Sequence, residues 1–454
     1  MRILFPKVMK TVFISSFHAI SSRNILATEI IPRLVAAGVR VAIVCPDYKD
    51  GYFKTTFGAP NVEVIGVSVG SKSYSRTNQF FKRLVRNMLD TETTRIRTKA
   101  KWKLDGKWVY YWFGFIPLSK LGNIRLVRRC IRWLDFHTAT RRFRPLFDHD
   151  VPDLIFATDV QNENDVALLQ EAKHRGIPTI GKVRSWDNLT QWGLIRVIPG
   201  IVMVPSEFAR HEAIRFHDIP PERIRVCGIP HYDSYFRRET ETHETFFQKY
   251  QLDPRKKLIA VAPVADFRLQ KNTIDRFLLN FLSRLDANVW VRFPPTDPVS
   301  IGDFSPSPNM KFDRPGLAYD AALMIDRDIT PEDDLRLRSL LRWCDLLISG
   351  PSTMAIDAAI FDRPVILINF VPGATDFWHG ITEYRFNHIQ HVLRSGGVRV
   401  VENETDLMKN IEMYLKNPER DRKGRSRLVR EQCGRTDGRA ASAVADEILK
   451  ALNV

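Results

Sequence analysis

The chain has 454 residues, of which 44% are hydrophobic and 26% charged, and a formal net charge of +16. That length supports two or three domains with cores of their own. No stretch reaches the ~18 uninterrupted apolar residues of a membrane-spanning helix, and five scattered cysteines with no CxxC pair argue against a disulfide framework or zinc knuckle and for a reducing, cytoplasmic setting. The charge excess is local: Lys72–Pro145 holds 19 Lys/Arg and 4 Asp/Glu, net +15 of the total.

In chain order, the first residues have two charges ahead of an apolar run, but Lys7 and Lys10 interrupt it, and Thr11–Ser16 reads as a buried strand rather than part of a leader. An apolar-periodic segment over Ile25–Ala37 predicts a helix that kinks at Pro32 or starts later, and Gly38 stops it. "VRVAIVCPD" is a second strand, apolar on both faces, so a βαβ unit opens the chain. After the basic segment come "PDLIFAT", a helix over Asp165–Arg175 closed by Gly176, "IPTIGKV", "GIVMVPS", a helix through Ile214 and "RIRVCGIP". The polar stretch Pro230–Thr245 marks a boundary. A second series follows: "KLIAVAP", a helix near Thr273–Leu285, "NVWVRFP", a helix near Asp333–Trp343, "DLLISG", "PVILINF" and "GVRVV". An amphipathic helix over Gly438–Leu452 ends the chain. Short apolar strands alternating with helices predict an α/β protein with two doubly wound parallel sheets, residues 1–230 and 231–437, facing a cleft. The 72–145 segment reads as an insertion in the first domain, and 438–454 as a helix packing back on that domain. Ligands of such sheets sit beyond the carboxyl ends of the strands.

The most informative such end is "LLISGPSTMAIDAAIFDRPVIL", Leu346–Leu367. Gly350 lets a ligand approach the backbone, and Ser352 and Thr353 can donate to a phosphate beside unpaired helix N–H groups. The alternative is that Ser352 only caps the helix. Asp357, one turn on, could reach a ribose hydroxyl or be a surface carboxylate.

"ISGPSTMAIDAAIFDRPVI" resembles the phosphate-loop region of GT-B-type glycosyltransferases and of the related CDP-glycerol glycerophosphotransferases, which make wall and capsule polymers. "GRTDGRAASAVADEIL" (Gly434–Leu449) is similar to the segment opening their last helix, "KVRSWDNLTQWG" (Lys182–Gly193) to a segment of bacterial surface-polysaccharide transferases, and "GIPHYDSY" (Gly228–Tyr235) to their interdomain connection. The resemblance spans about Pro152–Leu452 and leaves out the basic segment. It implies a GT-B-like fold of two Rossmann-like domains and transfer from a nucleotide-activated sugar to a surface polysaccharide or lipid-linked glycan. The alternatives are a CDP-glycerol or polyol-phosphate transferase, a non-hydrolysing nucleotide-sugar epimerase, and a nucleic-acid-binding protein acting through the basic segment.

Such a transfer needs a stabilised leaving phosphate and a base for the acceptor hydroxyl. For the first, Arg268 and Lys271 follow the first strand of the second half, where this fold supplies a basic phosphate ligand, and Arg292 ends the next strand; each could instead be an ordinary solvated charge. For the second, the resemblance to inverting GT-B enzymes implies a histidine in the first loop, and His18 stands there, with Ser21, Arg23 and Asn24 as acceptor-side neighbours. Asp187 is the rival base in the polar loop with Arg184 and Asn188, its alternative an Asx-type turn anchored by Trp186. Asp326–Asp328 imitates a metal-binding DxD triplet, but this architecture seldom needs one: no metal or cofactor is expected, the nucleotide donor being a substrate. Trp102, Trp108, Trp112 and Trp133 among the basic residues suggest a peripheral foot on an anionic membrane, or else the core of a helical insertion or, less favoured, a nucleic-acid surface.

Overall fold

A computed structural model of the chain describes residues 9–69, 75–269, 271–319 and 327–454. Lys72 and Asp326 lie outside the described residues, as does the side chain of Arg268. Two compact units result: one of residues up to Asp90, Trp112–Asp233 and Asp437–Val454, the other of Thr91–Tyr111 and Ser234–Thr436.

The first unit is built on seven strands: β1 (Thr11–Ser15), β2 (Arg40–Pro46), β3 (Val62–Val67), β4 (Leu154–Ala157), β5 (Thr179–Lys182), β6 (Ile201–Val204) and β7 (Ile224–Val226). They pair in parallel in the order β3-β2-β1-β4-β5-β6-β7. Successive side chains of β1 enter opposite cores: Val12 and Ile14 meet the last helix (Ala440–Leu452), while Phe13 meets Phe147 and the helix Glu163–His174. This two-sided burial is why the strands read as unbroken apolar runs. The last helix belongs to this unit because Asp233 accepts hydrogen bonds from the N–H groups of Ala440 (2.9 Å) and Ala441 (2.8 Å), and Arg33 reaches Ser442 (2.9 Å) and Asp446 (3.1 Å).

The helix expected over Ile25–Ala37 is two pieces. A π-helical turn spans Ser22–Leu26, and the α-helix begins at Ile30. Pro32 therefore falls in the first helical turn, where its missing N–H has no partner to lose.

The second unit has β8 (Leu258–Ala262), β9 (Asn288–Arg292), β10 (Met310–Asp313), a small antiparallel pair β11 (Leu317–Ala318) and β12 (Arg327–Asp328), then β13 (Leu346–Ser349), β14 (Val365–Ile368) and β15 (Arg399–Val401). Its main sheet is parallel, ordered β10-β9-β8-β13-β14-β15. Strand order reverses between β1 and β4 in the first unit and between β8 and β13 in the second. The loops leaving these strand pairs diverge to opposite faces and open a crevice at each sheet's carboxyl edge.

Thr91–Tyr111, inside the segment read as an insertion of the first domain, is part of the second unit. Its helix Glu92–Asp105 is tied there by Asn387, whose side-chain oxygen accepts from the Thr93 N–H (3.1 Å) and hydroxyl (3.0 Å), while the Thr93 hydroxyl accepts from the Asn387 N–H (2.9 Å). Lys99 lies over the Trp378 ring at 5.7 Å.

Candidate active site

In the second unit, the β13 loop runs through Gly350, Pro351, Ser352 and Thr353 into the helix Met354–Ile360. A side chain at 350 would place its Cβ 3.1 Å from Val264 of the loop after β8, so glycine is what lets the two loops lie together. Ser352 Oγ accepts from the Met354 N–H at 3.3 Å, and Thr353 is exposed. Ser352 thus satisfies the first N–H of the helix from the position before its N-cap, Thr353.

The β8 loop is held from beneath. Asp275 is buried and accepts from the N–H groups of Val264 (2.7 Å) and Ala265 (3.1 Å) and from Asn272 (2.7 Å). Burial pushes its carboxyl up despite those bonds. Ala265 takes φ +73°, a left-handed conformation unfavourable for a residue with a Cβ. Asp266, which accepts from Ser300 Oγ (2.6 Å) and Asn272 (2.8 Å), anchors the turn Asp266–Arg268. Arg268 ends that turn and exposed Lys271 follows it, so both stand on the loop that touches Gly350. Neither Asp275 nor Asn272 was expected from sequence; the signal lay in "NTID", a polar helix start just after the basic pair.

Arg292 and Asp357 are placed elsewhere. Arg292 is buried, ion-paired to Asp313 on the neighbouring strand, and donates to the Asp333 carbonyl (3.2 Å). Its charge is consumed inside the unit rather than offered at the crevice. Asp357 is 5% exposed and packs toward the helix Arg422–Cys433, where burial first and the Asp357 charge second push the Cys433 thiol up.

In the first unit, a pocket of about 320 Å³ lies at the β1/β4 crevice, and it brings together His18 from the loop after β1 and Arg184 and Asn188 from the segment after β5. His18 Nδ1 accepts from the Ile20 N–H at 3.3 Å. The pocket floor is Asp159, 2% exposed, which was not expected from sequence. Arg184 donates to it at 2.6 Å, the Gln161 N–H at 3.0 Å and Asn188 at 3.4 Å. On the far wall Glu163 and Arg196 form a buried ion pair (2.6 Å), and Asp135 holds the other side of that guanidinium at 2.6 and 2.8 Å. The Asp187 carboxylate accepts from Trp192 Nε1 at 3.1 Å, so it orients a pocket-lining ring.

Ser21 is buried behind this pocket, accepting from Thr158 Oγ1 at 3.2 Å. Ser15, in the same network, donates to Asp165, a fully buried carboxyl that burial, reinforced by the Asp159 charge, pushes well up. Arg23 donates to Asn24 (3.1 Å) and stands 3.4 Å from His231 Nε2. Lys182, 3% exposed at the end of β5, gives its ammonium one bond, to the Val183 carbonyl (3.2 Å), and burial pushes its amine down to about 8. Among the described residues no group of three or more His, Cys, Asp or Glu is arranged to hold a metal ion, and no helix is long and apolar enough to cross a membrane.

No curated protein matches the chain in sequence. Solved structures share its fold. The UDP-GlcNAc 2-epimerase from Neisseria meningitidis bound to UDP-GlcNAc aligns with TM-score 0.56 and 11% identity over 97% of this chain and 100% of the other. The wall teichoic acid polymerase TagF (H548A) aligns with TM-score 0.54 and 13% identity over 98% and 89%. The glycotransferase of kitacinnamycin aligns with TM-score 0.50 and 13% identity over 98% and 100%. At these identities the likeness establishes the two-Rossmann GT-B fold. A family model, described as CDP-Glycerol:Poly(glycerophosphate) glycerophosphotransferase, matches residues 169–450, well over half the chain, including the β5 loop, the β8 loop and the Gly350–Thr353 turn. The chain is accordingly a GT-B-type transferase that belongs to the CDP-glycerol:poly(glycerophosphate) glycerophosphotransferase family.

Proposed function

We propose that the chain transfers a glycerophosphoryl or closely related polyol-phosphoryl group from a CDP-activated donor to a hydroxyl of a bacterial surface polymer. The family match carries this reading, and it moves the CDP-polyol donor ahead of the nucleotide sugar. The loop geometry supports it. Ser352, Thr353, Arg268 and Lys271 stand on the two touching loops of the second unit and supply hydroxyls and positive charge for a pyrophosphate, while buried Gly350 serves the contact between the loops. In the step, the acceptor oxygen bonds to the outer phosphorus of the donor, the bridging P–O bond breaks, and CMP leaves with the electron pair. For the acceptor proton the base in this reading is His18, on the loop after β1. Side-chain cations carry the leaving charge, so a chelator should leave the rate unchanged.

The epimerase alternative needs carboxylates able to take protons from a sugar. The two that line the first unit's pocket, Asp159 and Glu163, are each clamped by an arginine at 2.6 Å. Incubating the full chain with CDP-glycerol and a short glycerol-phosphate oligomer, and measuring CMP release, tests the assignment. Turnover or thermal stabilisation by UDP- or GDP-sugars alone would overturn it.

A peripheral membrane contact is part of the same reading. The helix Arg125–Thr138 exposes Leu126 (68%) and Trp133 (60%) beside exposed Arg125 and Arg129. This is the pairing of basic and aromatic side chains that binds anionic interfaces. Cosedimentation with vesicles containing phosphatidylglycerol should fall for Leu126→Ser/Trp133→Ser; retention equal to wild type would refute the contact.

A further inference from the structure

The first unit's pocket has four cationic side chains, and they are not equivalent. Arg184 and Arg196 are buried or nearly so and spent on the buried carboxylates Asp159, Glu163 and Asp135. Lys82 and Arg86 are exposed, and no described carboxylate lies within ion-pair distance of either. Lys82 is close enough to Glu163 to act on it electrostatically, which places the lysine at the pocket wall rather than out in solvent. The charge that a ligand entering this pocket meets is therefore positive, and it comes from one helix, Arg76–Asn87.

That helix is fixed to the pocket. Lys82 and Arg86 are four residues apart and so project from one face, and beside them Val85, Met88 and Leu89 pack with Leu194, Val85 and Leu194 lining the same pocket. The Leu194 N–H donates to the Val85 carbonyl at 3.1 Å. Gly193 has φ +102°, and a Cβ there would fall 2.8 Å from Arg86 Cα, so the loop and helix backbones touch where only glycine fits. Gln161 donates to the Gly193 carbonyl at 2.6 Å and joins this contact to the pocket wall. The backbone that carries the two cations is thereby fixed at the pocket, which lowers part of the ordering cost of gripping an anion. The helix precedes residue 169, where the family match begins, so that match does not assign it a role.

We propose that Lys82 and Arg86 bind a phosphate oxyanion of the acceptor, making the first unit's pocket the reading site for an anionic, phosphate-bearing polymer end. This rests on the proposed function for the chemistry of the acceptor; the charge asymmetry of the pocket stands apart from it. With the donor phosphates assigned to the second unit, the phosphate read here is the acceptor's. A neutral glycan of equal length would lose this contact.

The test is calorimetric titration of the full-length protein with a synthetic glycerol-phosphate oligomer, and separately with CDP-glycerol. Lys82→Ala/Arg86→Ala should weaken the oligomer at least about tenfold, as expected for losing charge-assisted hydrogen bonds, and leave CDP-glycerol affinity at the wild-type value. Lys82→Arg/Arg86→Lys should restore most of it, and added salt should weaken the oligomer more in wild type than in the alanine variant. Equal oligomer affinity in wild type and alanine variant, including none in either, overturns the inference. Loss confined to CDP-glycerol would move the phosphate to the donor and also overturn it. Failure of wild type to bind CDP-glycerol would instead overturn the functional reading, with the oligomer arm still deciding this one.

Discussion

Replacing Lys182 with methionine isolates the energetic consequence of a buried charge beside the Asp159 pocket. The amine is held near 8 by burial, against an ordinary 10.5. Between those values the unfolded chain binds more protons than the folded one, so wild-type stability rises as pH climbs through the window. Full protonation on unfolding costs the folded state about 3 kcal/mol at pH 7, falling to about 2 kcal/mol at pH 9, a tenfold difference in proton affinity being worth ~1.4 kcal/mol. Methionine fills a similar volume without the charge. The Lys182→Met protein should therefore be more stable at pH 7, with its advantage shrinking by ~1 kcal/mol by pH 9. Denaturant unfolding of both proteins at both pH values reads this as a double difference, in which any change in packing cancels. An advantage that stays constant with pH, or grows, would refute the claim that Lys182 is buried at the expense of its charge.

Three further outcomes follow from the site. Ser352→Ala/Thr353→Ala should weaken CDP-glycerol at least about tenfold, the loss of a charge-assisted hydrogen bond; unchanged affinity by calorimetry would remove the β13 turn from the donor site. His18→Ala should lower turnover by about 10²–10⁴ while donor affinity holds, as for loss of a general base, and full activity would discard it as the base. Arg292→Met leaves Asp313 buried beside Arg336 alone; it should destabilise the protein by about 3 kcal/mol yet bind donor normally once folded, whereas a selective loss of donor affinity without loss of stability would return Arg292 to the phosphate.

The alternating pattern was legible because burying both faces of a parallel strand demands uninterrupted apolar residues, and β1, β2, β8 and β13 all show them. Gly38 and Gly176 were legible as stops because each takes positive φ at a helix end. The Gly-Pro-Ser-Thr turn stood out for a similar local reason: its glycine, proline and hydroxyls interrupt an apolar run where a strand feeds a helix. His18 and the pair Arg184 and Asn188 could be picked from loops after strands, but nothing local shows that these two loops share one pocket. That follows from β1 lying next to β4, a strand order that spacing along the chain does not encode.

Tertiary structure alone decided which charges remain available. Arg292 looks like a ligand at a strand end until Asp313, 21 residues on, neutralises it. Arg184 and Asp159, 25 apart, cancel each other in the same way, while Lys82 and Arg86, two cations among many in a basic segment, are left facing the pocket. Local sequence carries backbone preference and burial, which are properties of neighbouring residues. The net charge of a site is a sum over loops distant along the chain, and only the folded arrangement performs it.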